Sequence, residues 1–186
     1  MYDTTSFRKG LKIEIDGQPW VIVDFQHVKP GKGGAFVRTR IKNLISNNVI
    51  DRTFRSGDKV GTPDIEDLDC SYMYFDGDYH FMNMESYDSF SVPSEGVGNA
   101  KNFLTENLEV SILLYRSRAI AIDLPNFVDM AITTCDPGVA GNTAQGATKP
   151  ATLETGLVVQ VPLFVKESDR LKIDTRDGSF VERVKG

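Results

Sequence analysis

Apolar and polar residues alternate along much of this chain with a period of two, the pattern of β-strands that bury one face. In residues 11–15, Leu11, Ile13 and Ile15 alternate with charged residues. The pair Asp16-Gly17 follows and favours a tight hairpin turn before a second strand at residues 20–23. The beginning of the chain therefore predicts an antiparallel β-hairpin.

Residues 36–42 predict a strand with one apolar and one basic face, because side chains alternate across a strand. The apolar face carries Val37, Thr39 and Ile41, and the other carries Phe36, Arg38, Arg40 and Lys42. Asn47-Asn48 marks the next turn, and a further strand is expected at residues 50–55. The first third thus predicts a small curled barrel with a basic side, and Arg38, Arg40 and Lys42 are candidate contacts for RNA phosphates.

The rest of the chain also consists of short predicted strands, with one short helix expected at residues 99–104. The predicted strands cover residues 70–75, 79–82, 110–115, 119–122, 128–132, 157–161, 171–175 and 180–184. Residues 56–63 have the composition of a linker, and residues 135–152 form a long polar loop of a kind that is usually functional or disordered. About five short strands per unit is the size of an oligonucleotide-binding barrel.

The chain is therefore predicted to be all-β, with domains at residues 1–63, 64–127 and 128–186. Its net charge is −5. Eleven Lys and Arg against six Asp and Glu give the first segment +5, three against twelve give the second −9, and seven against eight give the third −1. A polyanion would be attracted by the first segment and repelled by the second.

Residue types that support catalysis or metal binding are sparse. His27 and His80 are the only histidines, and neither lies in a recognisable catalytic motif. Cys70 and Cys135 are far apart, so neither a disulfide framework nor a zinc site is expected, and Cys70 is predicted to be a buried thiol. We expect a cytoplasmic, monomeric, non-enzymatic protein without metal, cofactor, signal peptide or membrane segment.

The loop between the predicted strands ending near residue 28 and beginning at residue 36 presents a lysine. It reads Lys29-Pro30-Gly31-Lys32-Gly33-Gly34. Proline fixes one dihedral angle and glycine permits tight or left-handed geometry, which suits a narrow hairpin tip that projects Lys32. It is not a phosphate-binding loop of the nucleotide-hydrolase type, because Gln26 replaces the first glycine and a strand follows. By composition alone, a simple solvated turn is the favoured interpretation of this loop.

The tip loop with its flanks, residues 27–36, closely resembles the tip of bacterial translation elongation factor P, and so do residues 149–164. Shorter matches lie at residues 98–101, 124–128, 136–138 and 173–176. The resemblance extends over nearly the whole chain and implies an SH3-like (KOW-like) barrel followed by two OB-fold barrels. These would form an L that is similar in outline to transfer RNA.

The resemblance also implies the partners. Such factors bind the 70S ribosome between the peptidyl and exit sites and stimulate peptide-bond formation at polyproline stalls. Lys32 matches the tip residue that reaches toward the peptidyl-tRNA, and in many members a lysine-modifying enzyme extends it. Lys29, Pro30, Gly31, Gly33 and Gly34 would support this tip.

In the third segment the resemblance implies contacts with messenger RNA in the exit site or with tRNA. Gly141-Asn142-Thr143 stands where the family usually has Gly-Asp-Thr, so that the acidic side chain is replaced by an amide. Phe180 and Arg183 match an aromatic and arginine pair that suits base stacking and phosphate contact, although Phe180 is equally acceptable as a strand-packing residue.

Two other functions are compatible with a chain of such barrels. An elongation-factor-P-like paralogue usually carries arginine at its tip, which Lys32 argues against. A general single-strand RNA-binding protein or RNA chaperone would need aromatic and basic stripes on the later barrels, and the charge of −9 in the second segment argues against it.

Overall fold

The computed structural model describes residues 1–137 and 147–185. Regular structure in this part of the chain is almost entirely β-strand, which confirms the predicted all-β class. The chain forms two compact units, Met1–Asp67 with Leu113–Ala121 and Leu68–Ile112 with Ile122–Gly186. The division into three domains at residues 1–63, 64–127 and 128–186 stays a prediction.

The N-terminal residues form a curled sheet and a short strand pair. The strands are β1 (Tyr2–Asp3), β2 (Lys12–Ile15), β3 (Gln18–Val28), β4 (Phe36–Asn43), β5 (Val49–Arg55) and β6 (Lys59–Val60). Strands β2 to β5 pair antiparallel in chain order, and β1 pairs with β6. At the predicted Asp16-Gly17 turn both residues have positive φ, +52° and +73°, as a two-residue hairpin turn requires.

The alternating apolar residues of the first sheet point into one core. Ile13, Ile22 and Ile41 are buried there with Phe7 and Phe54. Val60 is also part of this core, at 6% exposure. The prediction of a linker at residues 56–63 is therefore wrong in part, because Lys59–Val60 is a strand that pairs with the N-terminus.

The middle sheet has five strands in the order β11-β10-β7-β8-β9. They are β7 (Ile65–Phe75), β8 (Asp78–Asn83), β9 (Ser89–Pro93), β10 (Glu109–Tyr115) and β11 (Arg118–Asp123). The helix expected at residues 99–104 begins earlier, as α1 (Ser94–Val97), and continues as a 3₁₀ turn over Gly98–Asn102. The helical region ends sooner than predicted because the backbone leaves the helical conformation at Phe103, which has φ −121° and ψ −5°.

The C-terminal sheet has the order β14-β13-β12-β15-β16. Its strands are β12 (Phe127–Cys135), β13 (Thr148–Leu153), β14 (Val158–Pro162), β15 (Arg170–Asp174) and β16 (Ser179–Val184). Residues 135–152 were expected to be loop throughout. That expectation is wrong at both ends, since β12 runs to Cys135 and β13 begins at Thr148.

Two aromatic residues of the middle segment pack within these units. Phe103 is buried in the core of the C-terminal sheet, against residues such as Val128 and Leu171. In the first unit the Tyr115 hydroxyl lies 2.8 Å from Glu14 Oε2 and 3.0 Å from the Gly17 carbonyl oxygen. Burial and the Glu14 carboxylate raise the pKa of Tyr115, because both disfavour the phenolate.

Candidate nucleic-acid interface

The loop that carries Lys32 is the turn of the β3–β4 hairpin. The ladder continues to the pair Val28 and Phe36, and all six residues from Lys29 to Gly34 beyond it are exposed. Gly33 has φ +104°, a conformation that side chains with a Cβ rarely adopt, while Gly31 does not need positive φ. The loop composition therefore produces the narrow, exposed hairpin tip that the sequence predicted.

Lys32 projects from this tip without a counter-charge among the described residues. Two other lysines of the N-terminal residues are paired, Lys9 with Asp24 at 3.5 Å and Lys12 with Asp67 at 3.3 Å. By contrast, no hydrogen bond or ion pair within the described chain reaches the Lys32 ammonium group. A compact cation at the end of a two-stranded support is available to an anionic partner.

The three basic residues of β4 lie on the outer face, as predicted, but their surroundings differ. Arg38 is exposed, with its guanidinium 5.7 Å from the centre of the Phe36 ring. Arg40 Nε donates to Asp51 Oδ1 at 3.1 Å, and this carboxylate raises the pKa of Arg40 further. Lys42 is half-buried. Arg38 is therefore the most available of the three for a phosphate.

One further arginine of β5, Arg55, belongs to this basic face and was not predicted as a contact. Arg55 pairs with Phe36 in the ladder, directly beside the tip loop. A shallow depression of about 440 Å³ on this face is lined by Arg38, Arg40, Asp24 and Asp51. Arg52 lies opposite Thr39 and therefore points to the other face of β5, where its Nη1 lies 3.6 Å from Asp16 Oδ2. The alternation of β5 placed Arg55 on a definite face, but only the strand register shows that this face adjoins Phe36.

The C-terminal candidates are described only in part. Gly141, Asn142 and Thr143 lie outside the described residues. Phe180 and Arg183 lie on β16 and line one depression of about 600 Å³. Phe180 is half-buried against the C-terminal core.

The aromatic neighbour of Arg183 is a residue that sequence reasoning did not consider. Its guanidinium lies 4.8 Å from the ring centre of Phe164, which is 57% exposed. Asp169 Oδ2 also lies 3.7 Å from Arg183 Nη1. A stacked base would meet Phe164 and Arg183 here more readily than Phe180.

The remaining titratable side chains form no catalytic arrangement in the described chain. His27 is exposed, and His80 Nε2 lies 2.7 Å from Asp76 Oδ1. Cys70 is fully buried, which confirms the prediction, and burial raises its pKa to about 11. Nowhere in residues 1–137 and 147–185 do three or more His, Cys, Asp or Glu side chains group closely enough to hold a metal ion. None of the described helices has the length and hydrophobicity needed to cross a bilayer.

Three family models match the chain in succession. The elongation factor P KOW-like domain matches residues 3–60, the elongation factor P OB domain matches residues 65–122, and the elongation factor P C-terminal domain matches residues 128–183. The KOW-like and OB assignments agree with the predicted barrels. The L-shaped arrangement stays a prediction.

Curated relatives and solved structures agree with these matches. The chain is 49% identical to elongation factor P of Bdellovibrio bacteriovorus over 99% of its length and 98% of the relative's. It is 50% identical to that of Nocardioides sp. over the full length of both. Its fold is similar to eukaryotic translation initiation factor 5A from Methanococcus jannaschii, with TM-score 0.53 and 24% identity over 66% of this chain and 91% of that one.

A second fold match is a translation initiation factor eif-5a family protein from Naegleria fowleri, with TM-score 0.52 and 13% identity over 66% of this chain and 96% of that one. The relatives' names are those of translation factors and not of enzymes. The three family models together span nearly the whole chain, and the identity near 50% extends from end to end. The chain belongs to the elongation factor P family of translation factors.

Proposed function

We propose that this protein binds the 70S ribosome between the peptidyl and exit sites and stimulates peptide-bond formation where consecutive prolines stall translation. The observation that carries the proposal is Lys32, an unpaired and exposed ammonium group at the end of the β3–β4 hairpin. In this role Lys32 approaches the acceptor end of the peptidyl-tRNA. Lys29, Pro30, Gly31, Gly33 and Gly34 hold the loop that presents it.

The proposed action is positioning and not bond-making. Proline is conformationally restricted and a poor nucleophile, so a large part of the barrier lies in bringing the reacting groups into the correct geometry. A cation placed beside the tRNA backbone offsets phosphate repulsion and favours one position of the peptidyl-tRNA. This requires no proton transfer by the protein, which fits a chain whose two histidines lie outside the tip.

The basic face behind the tip contacts the phosphates of tRNA or ribosomal RNA. Arg38 and Arg55 are exposed to phosphate oxygens, Lys42 on the same face is half-buried, and Arg40 would first have to share Asp51. Residues 64–127, with a net charge of −9 from three Lys and Arg against twelve Asp and Glu, would not sit against RNA phosphates. The N-terminal segment of the predicted three-domain chain therefore faces the nucleic acid.

Two finer features belong to the same proposal. A lysine-modifying enzyme extends Lys32, whose ammonium group is exposed and accessible to such an enzyme. In the C-terminal segment, Gly141, Asn142 and Thr143 contact messenger RNA in the exit site, and Phe180 and Arg183 contact RNA through stacking and charge. The intact mass of the protein from its native cells would show whether Lys32 carries an added group.

The test of the tip is translation of a reporter that contains consecutive prolines. Wild-type protein is expected to restore full-length product, and Lys32→Ala is expected to lose about tenfold or more of that effect because the positioning cation is gone. Lys9→Ala is the matched control, an exposed lysine of the same unit outside the tip loop, and should retain most of the activity.

Each contrary result has a separate meaning. Equal restoration by wild type and Lys32→Ala would contradict the role of the tip. Failure of both proteins to restore the reporter would contradict the proposed action at polyproline stalls. Lys32→Arg keeps the charge but blocks lysine modification, so its activity relative to wild type measures the contribution of the added group.

A further inference from the structure

The tip of the β7–β8 hairpin carries a cluster of aromatic rings at the surface. Tyr74 is 50% exposed and Phe75 is 54% exposed. Tyr74 stacks on His80 with ring centroids 4.4 Å apart, and Phe75 packs on Tyr79 at 4.6 Å. The four rings together, here called the aromatic tip, present apolar surface on both faces of the hairpin.

Polar contacts hold the aromatic tip in one conformation. The Asp76 amide donates to the Asp78 carbonyl oxygen at 3.1 Å, and the Ser94 hydroxyl donates to the Gly77 carbonyl oxygen at 3.2 Å. His80 Nε2 lies 2.7 Å from Asp76 Oδ1, and this hydrogen bond lowers the pKa of Asp76. Because the turn is already ordered, it loses little further conformational entropy when a partner binds.

The core of the sheet does not account for the exposed rings. Tyr72 and Phe81, which oppose each other one step further into the ladder, are 8% and 0% exposed and fill the interior there. Tyr74 and Phe75 lie beyond them and leave about half of their surface in water. Clustered apolar side chains that packing does not require mark surfaces for interaction.

The charge around the aromatic tip indicates what kind of partner fits. Residues 68–112 contain eight Asp and Glu and one Lys, a net charge of −7. Asp76 lies in the turn and Asp78 is the first residue of β8, and both are exposed. Such a field repels phosphates, so RNA is disfavoured here. It attracts lysine and arginine, and the faces of Tyr and Phe rings bind the same cations.

We propose that the aromatic tip is a docking surface for a lysine- and arginine-rich polypeptide segment. Guanidinium or ammonium groups of the segment lie over the rings of Tyr74 and Phe75, and Asp76 and Asp78 pair with neighbouring cations. This surface belongs to a different sheet from Lys32, and the inference does not depend on the action proposed for that residue.

The experiment measures binding of a fluorescein-labelled peptide of alternating arginine and glycine to the full-length protein. The double variant Tyr74→Ser with Phe75→Ser is expected to bind about tenfold more weakly, since two cation–ring contacts are removed. Tyr87→Ser is the matched control, because Tyr87 is 72% exposed in the same acidic segment but lies outside the aromatic tip. It should bind within about twofold of wild type.

A map of amide chemical shifts on the wild-type protein gives a readout that needs no substitution. The peptide is expected to shift the amides of residues 74–80. Binding of the double variant equal to that of wild type, or shifts confined to other acidic turns, would overturn the proposal. The same holds if single-stranded RNA or an aspartate–glycine peptide shifted these amides as strongly as the arginine peptide.

Discussion

Neighbouring side chains of β4 meet opposite environments, because the strand covers the N-terminal core with one face only. Val37 and Ile41 are almost fully buried, and Thr39 lies between them at 2% exposure. The Thr39 hydroxyl has no hydrogen-bond partner among the described residues. A buried hydroxyl without a partner loses its hydration on folding and gains nothing in exchange.

Replacing this hydroxyl with a methyl group should therefore stabilise the protein. We expect Thr39→Val to raise the free energy of unfolding by about 1 kcal/mol, measured by urea denaturation. Thr53→Val on β5 is the control, since Thr53 is exposed and its hydroxyl can bond to water. A decrease in stability for Thr39→Val would mean that the hydroxyl has a partner in solution.

The tip loop depends on the backbone of one glycine more than on the others. Gly33 has φ +104°, whereas Gly31 lies outside the positive-φ region, and a Cβ added at Gly31 would meet nothing within 4 Å. Both glycines are exposed, so packing does not distinguish them. The difference between them is therefore one of backbone conformation alone.

Alanine at these two positions should separate conformation from composition. Gly33→Ala is expected to strain the hairpin end by about 1 kcal/mol or to move the lysine beside it, and to lower the stimulation of a polyproline reporter. Gly31→Ala should leave both the thermal unfolding and the reporter close to wild type. Equal losses for both variants would point to a need for small residues and not for positive φ.

At the scale of the whole molecule, charge is distributed unevenly along the chain. The first segment has a net charge of +5, from eleven Lys and Arg against six Asp and Glu, and the second has −9, from three against twelve. Attraction to ribosomal RNA or tRNA should therefore be concentrated in the N-terminal sheet and should weaken as salt is added.

Ribosome binding measured at several salt concentrations tests which cations take part. Arg38→Ala should reduce the slope of log K against log salt by about one unit, because each phosphate contact releases condensed counterions. Arg40→Ala should reduce it less, since Asp51 already pairs with that guanidinium. Lys101→Ala, an exposed lysine in the acidic segment, should leave the slope unchanged. A slope altered most by Lys101→Ala would contradict the proposed orientation.

Features that depend on neighbouring residues could be predicted from the amino-acid sequence. The all-β class, the Asp16-Gly17 turn, the tip loop and the basic side of β4 follow from alternation and turn chemistry, which act over a few residues. The burial of Cys70 was likewise predicted from the residues that follow it in the strand, which are rich in Tyr, Met and Phe.

The folded structure brings together distant residues that no sequence pattern connected. It pairs β1 with β6, extends the C-terminal sheet by β13, and places Phe103 in that sheet's core. It also pairs Arg40 with Asp51 while leaving Arg38 open, and gathers the rings of the aromatic tip around one turn. These contacts depend on strand register and on packing between segments, and no local pattern of residues encodes either of them.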